Sequence, residues 1–269
     1  MSKSYQSVPQ EEPIESNVGP AQAPPSYTEV GETNPAATPA VEEVFKDTRP
    51  VAECGRTIRM AFLRKVYAIL SAQLFVTSLF GGIFYLEPTL SLWVKNHPWF
   101  LLVNFFVSLG VLFGLILKPY SYPRNYILLF TFTALEGLTL GTAISFFSAR
   151  IILEAVFITL GIFVALTAFT FQSKYDFSRL GGFLYISLWT LVLSPLVFMF
   201  MPSMPLAELA FAGFGTLVFC GYILYDTHNI LHRYSPEEFI MSSLMLYLDF
   251  INLFVRVLQI VGMLQDDDR

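Results

Sequence analysis

Two acidic residues in apolar surroundings offer the clearest chemistry in this sequence. Asp226 lies in the apolar stretch 206–231, and Asp249 lies in the following stretch 240–264. An acid inside a hydrocarbon layer is costly, so it usually faces a bundle interior or a wet cavity where it serves a function. If the two stretches are antiparallel membrane helices, a rise of about 1.5 Å per residue puts Asp226 roughly 8 Å and Asp249 roughly 13 Å from the same surface. The two carboxyl groups are therefore predicted to approach one another.

A close pair of carboxyl groups binds protons and hard cations. Two carboxylates in a poorly solvated site cannot both ionise at little cost, so the pair should hold a proton over part of the physiological pH range. Calcium prefers oxygen ligands and would compete with that proton. We expect Asp226 and Asp249 to form a pH-dependent calcium site or gate. The alternative for Asp226 alone is a carboxylate at a helix end in the interfacial region.

The segment that carries Asp249 has a polar stripe. Asn252, Arg256 and Gln259 follow Asp249 at positions i+3, i+7 and i+10, which lie on one face of a helix, and the other positions are mainly apolar. Such a helix is expected to pack against other helices at the centre of a bundle, with Asn252 and Arg256 as candidates for lining an ion pathway. The alternative is a purely structural seam that pairs Asp249 with Arg256 or Asn252.

A third acid, Glu136, lies in the apolar stretch 126–147. The glycines at 137 and 141 form a G-x-x-x-G pair, which allows two helices to approach closely. Glu136 either lines the same pathway as the aspartates or is a protonated acid that is hydrogen-bonded to a neighbour.

The elements that must position these side chains are seven apolar segments. Hydrophobic residues make up 54% of the chain and charged residues only 14%, a composition that excludes a soluble domain of this size and gives no sign of nucleic-acid binding. Runs long enough to span a bilayer occur at 66–86, 99–117, 126–147, 151–171, 180–201, 206–231 and 240–264. We predict an all-α membrane protein: a seven-transmembrane-helix bundle with its polar-striped last helix packed centrally.

The lysines and arginines predict the orientation of the bundle in the membrane. With the amino terminus in the cytosol, the cytosolic flanks hold Arg56, Arg59, Arg64, Lys65, Lys118, Arg124, Lys174, Arg179 and Arg233, and the opposite side holds Lys95, Arg150 and Arg269. This asymmetry favours a cytosolic amino terminus, which is the wrong side for a seven-helix receptor. Seven full crossings would put the carboxyl terminus outside, whereas a re-entrant last segment would return it to the cytosol.

Residues 1–55 are predicted to form a disordered, proline-rich and acidic cytosolic tail, and residues 56–269 the transmembrane domain. Half of the 16 prolines precede residue 51, among few large apolar side chains, so this stretch cannot bury enough surface to become ordered. Pro24, Pro25 and Tyr27 belong to a P-P-x-Y motif, the extended form that WW domains bind. A WW-domain ubiquitin ligase is therefore an expected partner, and a membrane adaptor for such ligases is an alternative function.

The carboxyl-terminal part of the chain resembles the Bax inhibitor superfamily, and specifically its lifeguard branch. The resemblance extends from about residue 55 to the end and also includes the basic start of the first segment. The motifs that carry it are Tyr225-Asp226-Thr227, Ser235-Pro236-Glu237-Glu238, Leu248-Asp249-Phe250-Ile251-Asn252-Leu253-Phe254 and Phe62-Leu63-Arg64-Lys65-Val66-Tyr67.

This resemblance implies a helical bundle with a central last helix that acts as a pH-sensitive calcium leak. It implies a location in the endomembrane system, in the endoplasmic reticulum, the Golgi or the vacuole, and restraint of stress-induced cell death through altered calcium stores. The family's aspartate pair falls on Asp226 and Asp249. The basic residue that latches this pair in bacterial relatives has no clear counterpart within the second segment, so Lys118 and Arg124 at its end are the candidates. Cell-death regulators are potential partners, although the sequence shows no direct site for them.

An intramembrane aspartyl protease is a rival interpretation, because such enzymes also place one aspartate after a tyrosine in a sixth segment and another in a seventh. Here Leu246, Tyr247 and Leu248 precede Asp249 in place of the G-x-G-D motif, and no Pro-Ala-Leu motif occurs. We therefore expect a protein that is not an enzyme, has no cofactor, and carries or senses calcium.

Overall fold

The structure is a computed structural model that describes residues 49–200 and 204–266. Most of the predicted tail, including Pro24, Pro25 and Tyr27, lies outside the described residues, as do Asp267 and Asp268. Eight α-helices make up the bundle within these ranges: α1 Arg56–Leu86, α2 Pro88–Asn96, α3 Pro98–Leu117, α4 Arg124–Ile144, α5 Ala149–Gln172, α6 Gly181–Phe200, α7 Pro205–His232 and α8 Phe239–Asp266.

Seven helices of the described ranges are long and apolar enough to cross a membrane, which confirms the seven predicted segments. These are α1 and α3 to α8, with short 3₁₀ turns at Phe177–Leu180 and Pro236–Glu238 extending α6 and α8 at their amino-terminal ends. The structure also contains a helix that the sequence did not predict: α2, nine residues long, between the first two spanning helices. Proline at its first position and a short apolar run allow this helix to form without spanning.

Helix α8 lies at the centre of the bundle. In its apolar part 56% of the residues are buried, compared with 44% in α4 and 28% or less in the other spanning helices. It packs against α1, α4, α5 and α7, which confirms the predicted central position of the last helix. It is also continuous over 28 residues, so a last segment that turns back within the membrane is not observed.

Helix α1 begins ten residues before the apolar stretch that predicted it, and an ordered turn precedes it. Residues 51–53, which the sequence assigned to the tail, form a 3₁₀ turn. The Val51 side chain is fully buried, and its N–H donates to the carbonyl oxygen of Tyr234 at 2.8 Å. This turn therefore packs on the connection between α7 and α8.

Buried hydrogen bonds link α1 to its two neighbours. Gln73 of α1 donates to Thr133 of α4 at 3.1 Å, and the hydroxyl groups of Thr77 and Tyr247 lie 2.8 Å apart between α1 and α8. Because lipid chains offer no alternative partner, such polar contacts add to the packing that holds spanning helices together.

The predicted G-x-x-x-G contact is present between α1 and α4. A methyl group added at Gly137 would come within 3.1 Å of Phe80, and one added at Gly141 would lie 3.0 Å from the ring of Phe84 and 3.2 Å from the Phe80 carbonyl oxygen. The last distance involves backbone, which cannot move aside as a side chain can. These two glycines therefore set how closely α1 and α4 approach.

We predict that Gly141→Ala destabilises the purified protein while Gly161→Ala does not. Overpacking of a close contact costs about 1–3 kcal/mol, whereas nothing lies within 4 Å of a methyl group added at Gly161 in α5. Thermal unfolding of both variants in the same detergent is the measurement. Equal unfolding temperatures for the two variants would contradict the role assigned to Gly141.

Candidate functional site

The connection between α7 and α8 sets the register of the two helices that carry the aspartates. The N–H groups of Arg233 and Tyr234 both donate to the Asn229 carbonyl oxygen, at 2.7 and 3.1 Å, and end α7. Ser235 and Glu238 then form a reciprocal capping box, in which the Ser235 N–H donates to the Glu238 carboxylate at 2.8 Å. Because hydrogen bonds fix both the end of α7 and the start of α8, the two antiparallel helices have a defined alignment.

This alignment brings Asp226 and Asp249 together. Their exposed fractions are 8% and 5%, and their carboxyl groups lie close enough to share a hydrogen bond. Two acids in contact in such dry surroundings form a site that can hold a proton between them.

Three further side chains surround the pair, and the sequence analysis did not single them out. The Asn229 amide lies beside the Asp226 carboxyl group. The Tyr222 hydroxyl, near both aspartates, donates to the Leu184 carbonyl oxygen of α6 at 3.0 Å. The Tyr234 hydroxyl, near Asp226, donates to the Met245 sulfur at 3.0 Å. Tyr222 and Asn229 stand at i−4 and i+3 from Asp226, so helical spacing was the signal that could have found them.

Two acceptor atoms of this site have no hydrogen-bond partner within the described residues. They are Oδ2 of Asp249 and Oδ1 of Asn229, both fully buried. An unsatisfied buried oxygen costs free energy, which a proton or a cation at the site would recover.

The oxygen atoms of this site suit a transient calcium ion better than a tightly held one. Calcium in a dedicated site takes roughly 6–8 oxygen ligands. Two carboxyl groups and one amide oxygen supply fewer, and no cluster of three or more His, Cys, Asp or Glu side chains occurs in the described parts of the chain.

The other predicted pathway residues lie apart from the aspartate pair. Glu136 accepts a hydrogen bond from Ser108 of α3 at 2.6 Å, so it joins α3 to α4. Asn252 is exposed, and its amide donates to the Leu248 carbonyl oxygen one turn earlier. No hydrogen bond between described residues connects either side chain to Asp226 or Asp249.

Arg256 occupies a groove on α7. Its side chain passes over Gly215, where an added methyl group would lie 2.9 Å from the Arg256 Cδ and Nε atoms. Its guanidinium group donates to Gln259 at 3.1 Å. Gly215 is three turns before Asp226, so Arg256 and Asp249 face α7 along one seam, but they are not paired with each other.

The two latch candidates are at the surface. Lys118 follows the end of α3 and Arg124 begins α4, and both side chains are exposed. Neither forms an ion pair with an aspartate of the site in the part of the chain that the structure describes. In this structure the carboxyl groups of Asp226 and Asp249 face one another without a basic residue between them.

Comparison with known proteins places this chain in a family. Residues 59–266 match the family described as inhibitor of apoptosis-promoting Bax1. The chain is 76% identical to Bax inhibitor 1 of Schizosaccharomyces pombe, over 100% of this chain and 99% of that protein. It is 40% identical to the Golgi anti-apoptotic protein of vaccinia virus, over 84% of this chain and 95% of the relative.

Lifeguard proteins are also among the relatives. Protein lifeguard 4 of Mus musculus is 40% identical, over 82% of this chain and 92% of its own length. Together with the family match over most of the chain, these similarities confirm the resemblance carried by the carboxyl-terminal motifs: the chain belongs to the Bax inhibitor family and has close relatives in its lifeguard branch.

Proposed function

We propose that this protein is a pH-sensitive calcium leak channel of endomembranes. The observation that carries the proposal is the pair of buried carboxyl groups, Asp226 and Asp249, which face one another between α7 and α8. Calcium is the carried ion, and the bilayer is the surrounding partner. Such a function needs two properties, and the site has both. It holds acidic oxygens inside a spanning bundle, and its protonation state determines whether the two carboxyl groups attract or repel each other.

Proton loss changes the site in two ways. With one proton shared, the two carboxyl groups attract and hold α7 against α8. With both ionised they repel, and the negative oxygens attract a divalent cation. Both effects favour calcium passage at higher pH, because the proton competes with the ion and stabilises the closed contact.

Restraint of cell death follows from this activity in our proposal. A leak lowers the calcium content of the store, and a smaller store releases less calcium under stress. The vaccinia relative is named as a Golgi anti-apoptotic protein. That name supports an endomembrane location and a link to cell death for this chain, with the endoplasmic reticulum and the vacuole as the other candidate compartments.

The proposed leak predicts a calcium flux that depends on the aspartate pair. Calcium flux into liposomes that contain the purified protein should rise between pH 6 and pH 8, and Asp226→Asn or Asp249→Asn should remove most of that pH dependence. Glu208→Gln is the matched control, because Glu208 is an acid of the same helix in its first turn, far from the pair. No flux above empty liposomes with folded protein would contradict the proposal.

Assignment of the pH dependence requires one more variant. His228 follows Asp226 by two residues and pairs with Asp176 at 3.2 Å, and histidine titrates near neutral pH. Asp176 lies outside the spanning helices, where hydrogen bonds from Ser178 keep its pKa below the ordinary value. If His228→Gln flattened the pH profile as fully as Asp226→Asn does, the sensor would be the histidine and not the aspartate pair.

The repulsion within the pair also predicts a pH-dependent stability difference. Asparagine cannot ionise, so Asp249→Asn should raise the unfolding temperature relative to the parent at pH 8 and have less effect at pH 5. Each kcal/mol of repulsion removed corresponds to roughly 2–4 °C for a chain of this size. Glu87→Gln, at an exposed helix end, is the control. A stability gain that is the same at both pH values would show that ionisation of the pair is not its cause.

A second role rests on the tail motif, outside the described residues. We propose that Pro24, Pro25 and Tyr27 recruit a WW-domain ubiquitin ligase. Tyr27→Ala should abolish binding of a purified WW domain and reduce ubiquitination, without changing calcium flux in liposomes. Unchanged modification and location would remove this role. If the aspartate variants were silent in cells while Tyr27→Ala abolished function, the protein would act chiefly as an adaptor.

A further inference from the structure

A large cavity lies between α1 and α5, at the end of the bundle where α1 begins. Its volume is about 950 Å³. Along α1 it extends from Arg56 to Tyr67, which is roughly 16 Å at the helical rise, and along α5 it extends from Phe163 to Phe171. The cavity therefore runs from the level of the first turn of α1 well into the apolar part of the bundle.

The α1 side of this cavity is strongly cationic. Arg56, Arg59 and Arg64 all contribute to its lining. Arg59 is half-buried, and the other two are exposed. No ion pair within the described residues joins any of the three to a carboxylate. The neighbouring Lys65 does not take part, because its ammonium group lies over the Phe239 ring at 3.4 Å, on the side of α8.

The rest of the cavity lining is mainly apolar. Its walls include Leu63 of α1 and Phe163, Val164 and Ala168 of α5. Hydroxyl groups enter the lining at Tyr67 and Thr167, and these two side chains lie near each other. The cavity thus combines three guanidinium groups along α1 with an apolar wall formed mainly by α5.

We propose that this cavity binds an anionic phospholipid of the surrounding membrane. Its phosphate group lies among Arg56, Arg59 and Arg64, which can donate charge-assisted hydrogen bonds to phosphate oxygens. One acyl chain follows the wall formed by Leu63, Phe163 and Val164. A soluble anion would make no use of the apolar walls, and a lipid without net charge would make less use of the three arginines.

Lipid titration of the full-length protein tests the charge requirement. Binding of dioleoylphosphatidylserine and dioleoylphosphatidylcholine to the detergent-purified protein is measured by native mass spectrometry. We expect phosphatidylserine to bind at least tenfold more tightly, and the combined Arg56→Gln, Arg59→Gln and Arg64→Gln variant to lose that preference. The matched control removes three positive charges outside the cavity, through Lys174→Gln, Arg179→Gln and Arg233→Gln, and should keep it. Equal binding of both lipids, or equal loss in the control, would overturn the proposal.

A second pair of variants tests the acyl chain. Ala168→Trp fills the apolar wall and should weaken phosphatidylserine binding about tenfold, whereas Ala165→Trp, on the same helix but outside the cavity lining, should not. Thermal unfolding of each variant separates loss of binding from loss of folding. Glycerophosphoserine, which has the headgroup without chains, should not compete at equal concentration; if it competed fully, the site would bind soluble phosphate esters and the lipid proposal would fail.

The acidic tail is the competing occupant. Glu42, Glu43 and Asp47 precede Arg56 by 9 to 14 residues and carry the charge that the arginines would attract. If phosphatidylserine bound selectively only to the full-length variant with Glu42→Gln, Glu43→Gln and Asp47→Asn, the tail would occupy the cavity in the parent protein and the lipid proposal would fail. Selective binding to the parent protein supports the lipid.

Discussion

The contact of two buried carboxyl groups between α7 and α8 is the main constraint that the rest of the structure must accommodate. Burying two acids against each other is unfavourable unless a proton or a cation joins them, so the surrounding helices must supply the stability that the contact lacks. The central position of α8 contributes to this, because α1, α5 and α7 all pack against it. The surrounding helices can therefore tolerate the unfavourable contact between the two aspartates.

The connection between the last two helices determines whether that contact exists at all. A single residue rotates a side chain by about 100° around a helix, so one residue more or fewer in α8 before Asp249 would turn its carboxyl group away from α7. The capping box of Ser235 and Glu238 fixes where α8 begins, and the Asn229 carbonyl oxygen fixes where α7 ends. The hydrogen bond from the Val51 N–H to the Tyr234 carbonyl oxygen further restrains this connection. The short turn therefore sets the alignment of the two aspartates through its own hydrogen bonds.

Much of the fold follows from the sequence, because membrane-spanning length and continuous apolar character leave few alternatives. The seven crossings, the central last helix and the close approach at Gly141 are of this kind. The meeting of Asp226 and Asp249 also followed from depth and antiparallel order alone. Side-chain environments that depend on how a helix packs against its neighbours could not be predicted from the sequence. Asn252 shares the stripe of Asp249 but is exposed, and Arg256 is accommodated by Gly215, a fit that no spacing on α8 reveals.

The arginines of α1 are a further case, because their place in the lining of a cavity depends on helix packing and is visible only in the structure. In the sequence, Arg56, Arg59 and Arg64 indicate only how the bundle is oriented in the membrane, since any helix that crosses a membrane can begin with basic residues. Helices α1 and α5 both pack against α8, and the cavity between them is lined by the three arginines of α1 together with apolar side chains of α5. The inner wall of that cavity ends at Tyr67, whose hydroxyl lies near Thr227, the residue after Asp226. The lining of the cavity therefore reaches, through Tyr67, the helical turn of α7 that carries Asp226.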